Sequence, residues 1–292
     1  MPINGKQVQL SKPYHAVLSE MVGREKETRI ILASWMAGCG RLPLAPLLVG
    51  ECGIGKNRTV YEVCTLSKKA LYIFQAHEDV TAEDLMCSVR FSDDPSRKMD
   101  YILGSLPTAM IRGMVFFIDG LGKMRQRALA PLESVLDERR YLDVTPIGER
   151  IHAHPGFRFI AATNPSDLEE EPIPDFILSR LSPVISFGYP SRDEIDRILR
   201  SVYPPLRNNG HVLLDCFWSL WKENMGDSPL SARDSNKIFA YAQSLADWEG
   251  MVPGETIGLE KTGQPRSIGV SHIEQAFEVF YGNGKGEENH AP

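Results

Sequence analysis

Gly50-Glu51-Cys52-Gly53-Ile54-Gly55-Lys56 has the spacing G-x-x-x-x-G-K, directly after an apolar run and directly before a helical pattern that continues to about Ser67. Glycines at these positions let backbone N–H groups turn inward around a phosphate. The following helix aims its positive end at the same point, and the lysine reaches the terminal phosphates. The expected ligand is a nucleoside triphosphate, held by Gly50, Glu51, Cys52, Gly53, Ile54, Gly55, Lys56, Asn57 and Arg58. An ordinary glycine-rich strand-to-helix turn is the alternative. Such loops normally carry Ser or Thr after the lysine, whose hydroxyl ligates Mg²⁺. Here Asn57 stands there, offering a neutral amide oxygen one bond further out, while Thr59 faces elsewhere on the helix.

A second chemical feature is the apolar run Gly113 to Asp119, ending in a carboxylate. In phosphate-loop folds such a group sits beside the loop and orients the magnesium shell, which makes Asn57 and Asp119 the expected metal ligands. A carboxylate capping the following turn is the plainer possibility.

These residues need elements to position them. Apolar runs and helical patterns alternate from about residue 22 to about residue 188, the signature of a parallel sheet flanked by helices. Expected strands are Pro46 to Gly50, Ala70 to Gln75, Gly113 to Asp119, Arg158 to Asn164 and Val184 to Phe187. Tyr141 to Val144 and Glu149 to His154, around a Pro146-Ile147-Gly148 turn, predict a β-hairpin. After Pro190 the patterns are helical: Ser191 to Val202, Val212 to Glu223, Leu230 to Ala246 and Val270 to Tyr281. The fold class is α/β: a phosphate-loop core over 1–189 with a five-stranded parallel sheet and hairpin insert, then a helical domain over 190–282. A long loop is expected over 249–267 and a disordered tail over 283–292.

Composition narrows the function classes. At 292 residues and 42% hydrophobic the chain can fill substantial cores. With 32 basic against 38 acidic side chains, its net charge of −6 disfavours a broad nucleic-acid or lipid footprint. Five cysteines, with no C-x-x-C pair, argue against a disulfide framework or zinc knuckle and for a reducing compartment. No apolar leader or membrane span is visible, so a cytoplasmic location is expected.

Over roughly residues 20 to 246 the chain resembles the AAA+ ATPases, most closely the MoxR-like, dynein- and midasin-related branch. Val22-Gly23-Arg24-Glu25 is similar to the segment that opens the family's core and packs near the adenine, which implies a cofactor contact for Val22. Ile118-Asp119-Gly120-Leu121-Gly122-Lys123 resembles the branch's second acidic motif, without the glutamate that usually follows the aspartate and polarises the attacking water. Phe157 to Pro165 is similar to the sensor-one strand, whose asparagine, here Asn164, would bond the attacking water or γ-phosphate. Asp175 to Leu181 resembles the segment whose arginine, here Arg180, reaches a neighbouring subunit's site. Leu230 to Asp234 resembles the lid motif whose arginine, here Arg233, contacts the γ-phosphate. The hairpin falls where the branch carries one before sensor one. Each has a plainer reading: Asn164 before Pro165 also suits a turn, Arg180 a helix C-terminus, and Arg233 a solvated surface.

The resemblance implies ATP and Mg as cofactors, with Asp119, Asn164 and Arg180 in catalytic roles. It also implies a homo- or hetero-oligomeric ring, a hexamer in the family, that remodels or loads a partner protein such as one with a von Willebrand factor A domain. A hinge is expected near Pro190. A positioned general base is worth about 10²- to 10⁴-fold in rate, so Gly120 predicts weak or conditional hydrolysis. The rival is a non-hydrolysing scaffold subunit of a mixed ring. His152 and His154, two apart with no third ligand, are expected to be solvated; Cys52 to fill the loop; Phe217, Trp218 and Trp221 to fill a helical core.

Overall fold

The computed structural model describes residues 2–3, 6–15, 21–36, 41–95, 98–170, 172–249 and 266–282. The expected tail lies outside these residues, as does all but the ends of the expected 249–267 loop. The chain divides into two compact units, one of Met1–Val17 and Arg24–Gly188, the other of Leu18–Gly23 and Tyr189–Pro292.

The strands of the first unit, in chain order, are β1 (Pro2–Ile3), β2 (Lys6–Leu10), β3 (Leu47–Val49), β4 (Leu71–Gln75), β5 (Cys87–Phe91), β6 (Met99–Leu103), β7 (Val115–Asp119), β8 (Tyr141–Val144), β9 (Glu149–His152), β10 (Arg158–Thr163) and β11 (Val184–Ser186). Its principal helices are α1 (Glu25–Ser34), α2 (Lys56–Ser67), α3 (Ala82–Met86), α4 (Ser105–Arg112), α5 (Gln126–Leu129), α6 (Leu132–Leu136), α7 (Pro165–Glu170) and α8 (Asp175–Leu178).

All five expected strands form, and they pair as a five-stranded sheet in the order β11-β3-β10-β7-β4, parallel throughout. Their unbroken apolar character has a direct cause. Phe116 and Ile118 of β7, with Phe159 and Ala161 of β10, enter one core; Val115 and Phe117, with Ile160 and Ala162, enter the core on the opposite face. A strand buried on both sides has no polar face to alternate with. Ile31 and Trp35 from α1 and its end, with Val60 and Val63 of α2, cover one face; Leu106, Ala109 and Met110 of α4 belong to the other.

The strand order reverses between β3 and β10, and open parallel sheets form their ligand crevice at the carboxyl ends of strands at such a point. Gly50 follows β3 and Asn164 follows β10.

The expected hairpin is β8–β9, paired from Tyr141↔His152 to Val144↔Glu149. Leu142, Val144, Ile147 and Ile151 bury its inner face, while Arg150 and Asp143 pair at 2.8 Å on the outer one. A further sheet, β1-β2-β6-β5, joins the amino-terminal strands to the 87–103 hairpin. The sequence pattern does not predict it. Its β2–β6 pairing is remote in sequence (Val8↔Tyr101), and of β5 only Cys87 is buried, so neither period nor proximity marks it.

In the second unit α9 (Arg192–Val202), α10 (Pro205–Met225), α11 (Ala232–Glu249) and α12 (Val270–Tyr281) pack around Phe217, Phe239, Ile238 and Ile273. A capping box starts α9: Ser191 accepts from the Glu194 N–H at 3.3 Å, and the Glu194 carboxylate accepts from the Ser191 N–H at 2.8 Å. Helix α10 begins seven residues before the expected Val212, because Pro205 occupies the first turn, where its missing N–H costs nothing. Phe217 and Trp221 are buried there and Trp218 partly so, as expected.

Candidate functional site

The loop between β3 and α2 bends because Gly53 and Gly55 take φ of 81° and 104°, a region that residues with a Cβ rarely enter. Lys56 then opens α2. The Lys56 side chain is buried, and its ammonium donates to the Gly50 carbonyl, to the Glu51 carbonyl at 2.8 Å and to Asn164 Oδ1 at 2.9 Å. Ammonium is a donor only, which fixes Oδ1 as the Asn164 atom it meets and leaves the Asn164 Nδ2 as a donor.

Asn57 Nδ2 donates to Asp119 Oδ2 at 2.5 Å. With its nitrogen committed, the amide of Asn57 keeps its oxygen, and Asp119 keeps its other carboxylate oxygen. Two hard oxygen donors on adjacent elements are the set that magnesium prefers, so the residues present fit the metal. Asp119 ends β7, which is aligned with β10 through Asp119↔Ala162, so the carboxylate and Asn164 stand at the same end of neighbouring strands. Thr59 points away from Asp119, its hydroxyl donating to the Gly55 carbonyl at 3.0 Å. Glu51 and Cys52 are exposed on the loop, Ile54 is buried beneath it, and Arg58 is half-buried on α2.

Behind Asp119, Tyr61 lies one turn along α2 from Asn57 and meets Tyr14 with ring centroids 5.4 Å apart. Burial pushes the Tyr61 phenol up to about 12, and Tyr14 and the Asp119 carboxylate add to the rise. A neutral phenol is therefore the form that stands near Asp119 at neutral pH. No spacing in the sequence marks this pair.

The turn after Asp119 differs from the rest. Gly120 has φ 86°, and its N–H donates to the Ala162 carbonyl at 2.9 Å. The position where the family usually carries glutamate is thus held in a left-handed conformation that glutamate adopts only with strain.

Arg180, just past α8, is turned toward its own chain. It donates to the Phe176 carbonyl and to Glu133 Oε1 at 3.2 Å, and lies 3.6 Å from Asp137. Its buried Nε–H has no hydrogen-bond acceptor among the described residues. Arg139 shares both acids, at 2.6 Å from Asp137 and 3.4 Å from Glu133, and its hydrogen bond holds the Asp137 carboxyl below the usual carboxylate range. Val22 and Arg233 both fall in the second unit, Val22 half-buried and Arg233 exposed in the first turn of α11. His152 and His154 are exposed, and no cluster that could hold a metal through His, Cys, Asp or Glu alone occurs among the described residues.

A family profile described as an AAA domain of the dynein-related subfamily matches residues 46–181, from the start of the loop strand to just past Arg180. Over those residues, a little under half of the chain, this protein is similar to AAA domains. That agrees with the MoxR-like, dynein- and midasin-related resemblance. Protein CbbQ of Hydrogenophilus thermoluteolus is 27% identical over 165 residues, 56% of this chain and 57% of that one. Protein NorQ of Paracoccus denitrificans is 31% identical over 129 residues, 44% and 46% of the two chains. The denitrification regulatory protein NirQ of Pseudomonas aeruginosa is 28% identical over 187 residues, 62% and 65%. This chain spans about half the length of the first two relatives. Among solved structures, the RuvB Holliday junction branch migration motor of Thermotoga maritima superposes with a TM-score of 0.53 at 15% identity, over 88% of this chain and 70% of that one, a likeness of fold alone. No helix among the described residues is long and apolar enough to cross a membrane.

Proposed function

We propose that this protein, as an AAA+ module, binds ATP with Mg²⁺ at the 50–58 loop, assembles through Arg180 into a ring, and remodels or loads a partner protein, with hydrolysis held low. The observation that carries the reading is the convergence of Lys56, Asn57, Asp119 and Asn164 on one strand-end crevice, through bonds of 2.9 Å and 2.5 Å.

Each residue's task follows from its donors and acceptors. The loop N–H groups and the α2 N-terminus bind phosphate oxygens, and Lys56 adds the charge that a triphosphate needs. Asn57 and Asp119 hold the metal, which, when bound, neutralises charge on the phosphates. Asn164, its oxygen committed to Lys56, presents Nδ2 to a γ-phosphate oxygen or the attacking water. Val22 toward the adenine and Arg233 toward the γ-phosphate complete the cofactor contacts. The whole remains slow because Gly120 supplies no base.

Arg180 supports assembly through its incomplete pairing. It is bound within its own chain by partly exposed acids, worth about 0–1 kcal/mol per pair, and one buried N–H has no acceptor among the described residues. A ring neighbour's phosphate is a stronger acceptor set. A cytoplasmic ring, six-membered as the family resemblance implies, with a von Willebrand factor A partner, belongs to the same proposal. Gly120 also favours a second reading, a scaffold subunit that binds ATP without hydrolysing it.

Sedimentation with ATP and Mg²⁺ tests assembly. The wild type is expected to sediment as a ring and Arg180→Ala as smaller species; monomers in both samples would contradict the proposal. Phosphate release by the assembled wild type separates the readings, since none at all leaves the scaffold.

A further inference from the structure

Arg24 stands just before α1 with φ 68° and ψ 20°, a left-handed backbone that a non-glycine residue holds only where its surroundings impose it. The side chain supplies those surroundings. Nη2 donates to the Ile54 carbonyl at 2.9 Å and to the Gly188 carbonyl at 2.6 Å, Nη1 donates to Glu27 at 3.2 Å, and the guanidinium lies 5.2 Å from the Phe187 ring centroid.

Both carbonyls matter by position. Ile54 lies between the two positive-φ glycines of the loop. In the planar trans peptide joining Ile54 to Gly55, the C=O and N–H point in opposite directions. Fixing the Ile54 carbonyl toward Arg24 therefore aims the Gly55 N–H to the other side of the loop, away from Arg24. Gly188 ends the first unit. Among the described residues the chain passes between its units at Gly23–Arg24 and Gly188–Tyr189, and Arg24 is part of one and bonded to the other.

We propose that Arg24 is a positioning residue: it holds the Ile54–Gly55 peptide in its phosphate-binding orientation and ties that peptide to the Gly23–Arg24 and Gly188–Tyr189 passages between the units. This rests on the nucleotide reading above. Nucleotide at the loop stiffens Ile54, and the shared guanidinium passes the restraint to Gly188. Lysine replaces it only in part, since one ammonium on a flexible stem can meet the two carbonyls that Nη2 bridges but does not also hold the Glu27 carboxylate that Nη1 reaches.

The test titrates the wild-type chain, Arg24→Ala, Arg24→Lys and Lys56→Ala with a fluorescent ATP analogue and Mg²⁺, then follows amide exchange with and without saturating ATP. Arg24→Ala is expected to weaken binding about tenfold, with Arg24→Lys recovering only part. In the wild type, ATP is expected to slow exchange over both 50–57 and 186–191. In Arg24→Ala at saturation, the slowing over 50–57 persists and that over 186–191 is lost. A merely structural arginine would lower the melting temperature and leave this ATP-dependent difference intact.

Should Arg24→Ala fail to fold, Arg24→Gly, which relaxes the left-handed backbone, gives the same readouts. Wild-type affinity in the alanine or glycine variant, or slowing over 186–191 retained at saturation, overturns the proposal. Equal binding by wild type and Lys56→Ala overturns the nucleotide reading and this inference with it, an outcome distinguishable because Lys56→Ala leaves Arg24 in place.

Discussion

At the ends of β3 and β10, side chains and backbone answer one another: Lys56 is seated among carbonyls and the Asn164 amide, and Asn57 reaches Asp119 at 2.5 Å. One residue beyond Asp119 that order ends. Gly120 has no side chain, its φ of 86° disfavours one, and Arg180 is spent on Glu133 and Asp137 of its own chain. On the proposed reading, the groups that would hold a triphosphate are gathered within one chain, and those that would cleave it are not.

The sharpest way to break this contrast is to restore the missing base. Gly120→Glu is expected to raise phosphate release, but by less than the 10²- to 10⁴-fold of a well-placed general base, because the left-handed backbone misdirects the carboxylate. Thermal unfolding of the same variant should show a loss of about 1 kcal/mol from that backbone. Unchanged phosphate release would show that another group limits the reaction.

A smaller effect is expected at the metal. Asn57→Thr replaces the amide with a hydroxyl one bond closer to the helix and should lower the Mg²⁺ concentration needed for half-maximal ATP binding by about tenfold. An unchanged magnesium requirement would mean that Asn57 serves only to bond Asp119.

The smallest concerns Asp137. Arg139 depresses its folded pKa, so its contribution to stability is present at neutral pH and is lost as pH falls from about 5 through that depressed value. Melting temperatures of Asp137→Asn should therefore fall less steeply over the acid limb than those of the wild type. Parallel limbs would remove Asp137 from the account of how Arg180 is held.

What the sequence revealed follows from where the signal lay. The five-stranded sheet was legible because its inner strands are buried on both faces and bounded by turn residues, as with Val115 to Asp119. The loop was legible because glycine spacing is itself the geometric requirement. The β1-β2-β6-β5 sheet was not, since Val89 and Phe91 on β5 are exposed and its β2 partner lies far away in sequence. Nor was the conformation of Gly120: absence of glutamate can be seen in a sequence, but not that the backbone has turned left-handed. The direction of Arg180 depends on Glu133 and Asp137, more than forty residues away. Arg24 was seen only as part of an opening segment, because its role lies in two backbone carbonyls that carry no residue-type signature.

The central claim is that the loop before Lys56 holds ATP whether or not the chain hydrolyses it. Calorimetric titration of ATP and Mg²⁺ into wild type and Lys56→Ala measures this directly. Saturable binding by the wild type, weakened at least about tenfold in the variant, is the expected result. Superimposable isotherms would contradict it.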